Sequence, residues 1–209
     1  MKYIFLHGLG QSPESWKAVR EAMDAKRDIC CPDLSEWLFQ KEPCYTNLYC
    51  GLEKFCELLE EPFNLCGLSL GGMLALQYTA EHPDKVNSLV LIGTQFQMPK
   101  KLLKLQNFIF RMMPNSAFAN TGFGKSELIR LSQSMMDLNF KSDLKKILCP
   151  VLVLCGEKDR ANRRASLQLK ELLSHAEIAF LSKAGHEVNA DAPAALAEQM
   201  ELFFKEQKE

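Results

Sequence analysis

A chain of 209 residues, 47% hydrophobic and 24% charged, has the make-up of an ordinary globular protein and length enough for one sizeable core. A net charge of −1 and a pI near 6.4 leave no surplus of Lys or Arg to follow a phosphate backbone, so neither nucleic acid nor an anionic membrane is an expected partner. No run approaches the roughly 20 apolar residues that span a bilayer, and Tyr3-Ile4-Phe5-Leu6 is too short for a secretory leader, so a soluble, cytoplasmic chain is expected.

Along the chain, short β-rich runs alternate with amphipathic segments of helical length, the pattern of parallel strands joined by helical crossovers. Lys2 to Leu6 reads as the first strand. Ser12-Pro13-Glu14-Ser15 before Trp16 has the look of a helix start, with a hydroxyl free to cap and Pro in the first turn. Asp28 to Pro32 and Phe63 to Leu68 follow as strands, and a helix is expected from about Ser69 to His82, where Pro83 stops it. Val86 to Ile92, Val151 to Cys155 and Glu177 to Leu181 complete six predicted strands. Val90-Leu91-Ile92 and Val151-Leu152-Val153-Leu154 are apolar without a break, as in strands covered on both faces. A last helix is expected over Pro193 to Lys205, its buried stripe drawn through Ala195, Leu196, Gln199, Leu202 and Phe203. The fold class that follows is α/β: a doubly wound, mostly parallel six-stranded sheet with helices on both faces, in one domain over 1–209.

The stretch from Thr94 to Lys146 breaks the alternation and is too long for a simple crossover. It is expected to hold two or three helices over one end of the sheet, with most of its Met and Phe residues packed as core. Phe108, Phe110, Met112 and Phe123 are its candidates for an apolar pocket. The eight cysteines read as reduced structural thiols: Cys66, Cys149 and Cys155 lie in or beside apolar strand-like runs, and Cys44, Cys50 and Cys56, six residues apart, are spaced like neither a zinc site nor a redox pair.

Chemistry concentrates in three places. Gly67-Leu68-Ser69-Leu70-Gly71-Gly72 lies directly between a strand and a helix, where a serine on a sharp turn is lifted clear of the backbone and only small neighbours leave room. The bland alternative, a glycine-rich turn with an incidental serine, is weakened by that context. A serine hydroxyl is a poor nucleophile without a base. Of the four histidines, His82 sits at a helix end, His175 in a polar connection and His7 after the first strand, whereas His186 follows the last strand in Ala184-Gly185-His186, where open α/β sheets place ligands. Asp159, just beyond the fifth strand in Gly156-Glu157-Lys158-Asp159, can orient that base; Glu157 is its rival. Backbone amides of Leu70 and of Leu9, with Gly10 behind Leu9, are the candidates to receive an oxyanion.

In this order, His7-Gly8-Leu9-Gly10, Gly67 to Gly72, Glu81-His82-Pro83-Asp84, Gly156 to Asp159 and Gly185-His186, the chain resembles the α/β-hydrolase superfamily over nearly its whole length. The resemblance implies a catalytic triad of Ser69, Asp159 and His186, an oxyanion hole at Leu9 and Leu70, and a helical lid over residues 95–146. It also implies that the chain starts at the family's third strand, so six parallel strands in the order 2-1-3-4-5-6 are expected. A serine at the elbow argues against the dehalogenase and epoxide hydrolase branches, which use aspartate there. The implied activity is that of a carboxylesterase acting on a small to medium apolar ester or thioester, with no metal or organic cofactor, as a monomer or homodimer. Lyases, carbon–carbon bond hydrolases, cofactor-free peroxidases and receptor-like binding modules on the same triad remain open.

Overall fold

Alternation of side chains along the strands decides where the helices go. In the computed structural model, which describes residues 1–118 and 123–207, β1 (Lys2–Leu6) sends Ile4 and Leu6 to one face and Tyr3 and Phe5 to the other, all of them buried. Strands β3 (Phe63–Leu68), β4 (Val86–Ile92) and β5 (Val151–Gly156) repeat this two-sided burial, which is why their sequences are mostly apolar; of their polar residues, Asn87 is exposed, and Ser88 Oγ donates to Asn64 Oδ1 at 2.6 Å. With β2 (Asp28–Cys30) and β6 (Ala176–Leu181) they form a six-stranded sheet in the order β2-β1-β3-β4-β5-β6, every adjacent pair parallel, as expected.

One face of the sheet packs on α2 (Tyr45–Glu57), α3 (Leu70–Glu81) and α6 (Arg163–Leu172), through residues such as Leu52, Leu74 and Leu169. The other packs on α1 (Lys17–Ala22), α7 (Val188–Asp191) and α8 (Pro193–Glu206), through Val19, Val188 and Met200. Between β4 and β5 the chain inserts α4 (Lys100–Met112) and α5 (Lys125–Ser134), with an isolated antiparallel bridge between Gln97 and Asn139 near its base. Among the described residues no helix is long and apolar enough to cross a membrane.

Some local expectations need correction. Strand β2 ends at Cys30, not Pro32, and its pairing with β1 ends at Ile4↔Cys30; Pro32 has no N–H to continue a ladder. Ser12 does not cap with its side chain; Ser15 Oγ instead donates to the Ser12 carbonyl at 2.7 Å, within a 3-10 turn over Pro13–Trp16. The buried stripe of α8 is Leu196, Ala197, Met200, Phe203 and Phe204, while Ala195 and Leu202 are exposed, because the i, i+4, i+7, i+8 rhythm starts at Leu196. All eight cysteines are free thiols, and burial pushes those of Cys31 and Cys56 up to about 12, consistent with inert packing.

Register places the chemistry. The row Leu68↔Ile92↔Leu154 aligns three strand ends, so Ser69, Gly93 and the residues after Cys155 emerge side by side at the carboxyl rim. Gly156↔Leu181 brings the exit of β6 to the same rim.

Candidate active site

The turn between β3 and α3 is held in a conformation that few residues tolerate. Ser69 has φ 54° and ψ −109°, far from the basins of an L-residue, and its N–H donates to the Ile92 carbonyl at 2.8 Å. The turn closes so tightly that a Cβ on Gly67 would lie 2.2 Å from the Gly71 carbonyl oxygen, and one on Gly71 would lie 2.3 Å from that of Leu6. These two positions therefore admit only glycine, which is the physical content of the G-x-S-x-G spacing. Leu70 is the first residue of α3, and first-turn amides have no acceptor inside their own helix.

Opposite the elbow, the loop after β1 is stiffened by its own side chains. His7 is fully buried; its Nε2 accepts the Leu34 N–H at 3.2 Å, which leaves Nδ1–H to donate to the Gly8 carbonyl at 3.0 Å. Burial holds its pKa below the ordinary 6.5, so it serves as a neutral strut. Gly8 N–H is taken by Gln11 Oε1 at 3.1 Å, whereas neither Leu9 nor Gly10 gives its amide to a protein acceptor among the described residues. The Leu9 amide, expected to pair with that of Leu70, and the Gly10 amide behind it are thus both without a protein acceptor among the described residues.

The loops after β5 and β6 bring together an acid and an imidazole. His186 Nδ1 lies 2.7 Å from Asp159 Oδ2, with the carboxylate buried and the ring 40% exposed. Asn162, which the sequence reading did not single out, completes the group. Its backbone N–H donates to Asp159 Oδ1 at 3.2 Å, and its Nδ2 reaches Oδ1 at 3.0 Å and Oδ2 at 2.8 Å. Gln95 Nε2 holds the Asn162 carbonyl oxygen at 2.7 Å and so fixes the amide with its NH₂ toward the acid. The 3.0 Å approach of Asn162 Nδ2 to His186 Nδ1 is then two donors converging on one carboxylate, and Nε2 is left as the unprotonated ring nitrogen.

Burial raises the pKa of Asp159, but the hydrogen bonds from His186 and Asn162 outweigh it and hold the group below its ordinary 3.8. Glu157, the rival acid, is exposed and accepts from Ser182 Oγ and Lys183 N–H, each at 3.1 Å; it makes no contact with His186 among the described residues.

Ser69 and His186 meet the same short piece of β4's exit. Ser69 is bonded to Ile92, and a Cβ on Gly93, which has φ +54°, would lie 3.0 Å from His186 Nδ1 and 3.3 Å from Asp159 Oδ2. No hydrogen bond joins Ser69 Oγ to the ring among the described residues.

A second pairing also escaped the sequence. Gln11 and Asn189, 178 positions apart, exchange reciprocal amide hydrogen bonds at 3.2 Å, tying the loop after β1 to the helix that follows His186. Both are buried, and Asn189 Nδ2 also reaches the Ser15 carbonyl at 3.2 Å. Asn189→Leu should cost about 1–3 kcal/mol by stranding the Gln11 amide, or roughly 3–10 °C in Tm. The double change Gln11→Leu with Asn189→Leu should cost less than the sum of the singles. Additive losses in thermal melts of the four proteins would show that the two amides are not coupled.

Beside His186 opens a cavity of about 360 Å³, lined by Gln95, Met98, Leu103, Ile109, Phe110 and Asn162 among others. Of the residues named for an apolar pocket, only Phe110 lines it. Phe123 is buried in the core, while Phe108 and Met112 point to solvent because they lie on the outer side of α4.

The alpha/beta hydrolase family model matches residues 3–199, and the chain belongs to that family. A putative 2-succinyl-6-hydroxy-2,4-cyclohexadiene-1-carboxylate synthase from Bacillus subtilis is 25% identical over 96% of this chain and 89% of its own length. A pimeloyl-[acyl-carrier protein] methyl ester esterase from Aromatoleum aromaticum is 34% identical over 44% of this chain; the match spans only 36% of that esterase. The crystal structure of NosK from Streptomyces actuosus superposes with a TM-score of 0.83 at 22% identity, covering 100% of this chain and 99% of that one, which speaks for the fold.

Proposed function

We infer that this protein is a serine hydrolase that cleaves a small to medium, largely apolar carboxylic ester or thioester through an acyl-enzyme. The observation that carries this reading is the 2.7 Å contact between His186 Nδ1 and Asp159 Oδ2, made at the rim where the strained Ser69 emerges and next to an apolar cavity that His186 itself lines.

In this reading Ser69 Oγ attacks the acyl carbon and His186 Nε2 takes its proton. Asp159 keeps the ring in the tautomer that leaves Nε2 free and stabilises the imidazolium that forms. The tetrahedral oxyanion is received by the backbone amides of Leu70 and Leu9, donors of a kind that needs no reorganisation at the moment of reaction. His186 then protonates the leaving alcohol or thiol, and a water activated by the same ring releases the acid. The Ser69–His186 hydrogen bond has to close as substrate binds, a tightening common to catalytic pairs that are loose at rest.

The cavity's size and apolar walls favour a short acyl group over a long one. The relative from Bacillus subtilis, whose name denotes a synthase rather than an esterase, keeps a lyase reading in play on the same residues. Incubation with a fluorophosphonate, followed by peptide mass spectrometry, should place one phosphonyl adduct on Ser69, and p-nitrophenyl butyrate should give a burst equal to the enzyme concentration. An adduct elsewhere removes Ser69 as nucleophile. An adduct on Ser69 without turnover of any acyl ester in a short- to medium-chain panel would favour the lyase or a binding module.

A further inference from the structure

The helix that roofs the cavity has a second face that the proposed chemistry does not use. Over Lys100–Met112, α4 contains Lys100, Lys101, Lys104 and Arg111 and no carboxylate, in a chain whose net charge is −1. Leu103 and Asn107 turn inward and are buried. On the outside, Leu105, Phe108, Ile109 and Met112 recur at i, i+3, i+4 and i+7 and are 55%, 61%, 47% and 73% exposed. At 3.6 residues per turn these four form a single stripe. Lys104 and Arg111 lie along one flank, exposed and without an ion pair among the described residues, whereas the neighbouring Lys100 meets Asp137 at 2.5 Å. On the opposite flank, Leu105 and Ile109 line the cavity beside His186. Apolar surface therefore runs from solvent, across the stripe, into the cavity.

Single exposed apolar side chains are ordinary, but four in one stripe mark a surface that something covers. Charge decides between occupants. A second copy packed antiparallel on the stripe by two-fold symmetry would bring the cationic flank of each α4 toward the other, and one packed parallel would give neither flank an anionic partner from α4. An anionic lipid surface meets the same flank with opposite charge, while the stripe sinks to the boundary between headgroups and acyl chains. The overall charge hides this because the cations are local.

We propose that α4 docks in the plane of an anionic lipid bilayer and presents the cavity mouth to acyl groups leaving it. The substrate side of this inference rests on the hydrolase reading; the docking side rests on α4 alone. In a sedimentation assay with phosphatidylcholine vesicles, with and without phosphatidylglycerol, the full chain should bind those containing the anionic lipid and be released by high salt. Phe108→Glu, and the pair Lys104→Glu with Arg111→Glu, should each weaken binding by about tenfold or more. None of these three residues lines the cavity, so turnover of a soluble p-nitrophenyl ester should persist in both variants. Equal binding of wild type and variants, no binding to phosphatidylglycerol vesicles, or a concentration-dependent dimer abolished by Phe108→Glu would each overturn the docking. Vesicle binding by a wild type that turns over no ester would sink the hydrolase reading alone.

Discussion

Ser69→Ala is expected to lower kcat/KM for a short-chain ester by about 10⁴-fold or more, since removal of a nucleophile leaves only the contribution of the oxyanion donors and substrate binding. The same position should separate chemistry from stability. With φ 54° and ψ −109°, Ser69 holds a backbone conformation that costs about 1–3 kcal/mol for any residue with a Cβ. Alanine keeps that Cβ, so Ser69→Ala should melt within about 2 °C of wild type. Ser69→Gly relieves the strain, less the entropy that glycine gains in the unfolded chain, and should raise Tm by roughly 2–4 °C while remaining as inactive as the alanine variant. A Ser69→Gly protein that melts below wild type would mean that the turn is not a store of strain. Residual activity in Ser69→Ala within about tenfold of wild type would move the nucleophile elsewhere.

What could be read in advance, and what could not, follows from the range of the interactions. Strand β4 was legible because burial on both faces leaves an unbroken apolar run from Leu89 to Ile92, and the elbow because Gly67 answers to Gly71 and Gly72 within five residues, although Gly71 answers to Leu6 on the neighbouring strand. His186 and Asp159 were legible by position, each just beyond a strand end, although the bond between them spans 27 positions. Asn162 carried a local signal that went unused: a carboxylate three residues ahead of an amide at a helix start is the spacing of a side chain that closes on the backbone. Gln11 and Asn189 carried none, since only the packed fold brings positions 178 apart together. The outward turn of Phe108 and Met112 was missed for another reason. Apolar content alone does not say which side of a helix meets the core, and in α4 both sides are apolar.

Asp159→Asn is the substitution that tests the second half of the triad, because it preserves shape and removes only charge and acceptor capacity. In the native site Asp159 Oδ1 accepts the Asn162 N–H and Oδ2 accepts from His186, with Asn162 Nδ2 donating to both. An amide in the same place has one oxygen. If that oxygen stays on the Asn162 N–H, the new NH₂ faces His186 Nδ1 and forces the ring into its Nε2–H tautomer, which cannot take a proton from serine. A loss of about 10⁴-fold in kcat is the expected result, as for the analogous substitution in serine proteases, together with a modest loss of stability because Asn162 Nδ2 loses an acceptor. Glu157→Gln should stay within about threefold of wild type, since the exposed Glu157 serves only Ser182 and Lys183. The sign of the pH effect is fixed as well. Asp159 is held below its ordinary 3.8, so whatever it adds to stability is present above that value and is lost as the pH falls through the lower, native one. The gap between wild type and Asp159→Asn in urea midpoint should therefore be constant near neutral pH and close in acid below the ordinary carboxylate range. A gap that widens in acid, or a Glu157→Gln variant more damaged than Asp159→Asn, would transfer the role of the acid from position 159 to its neighbour.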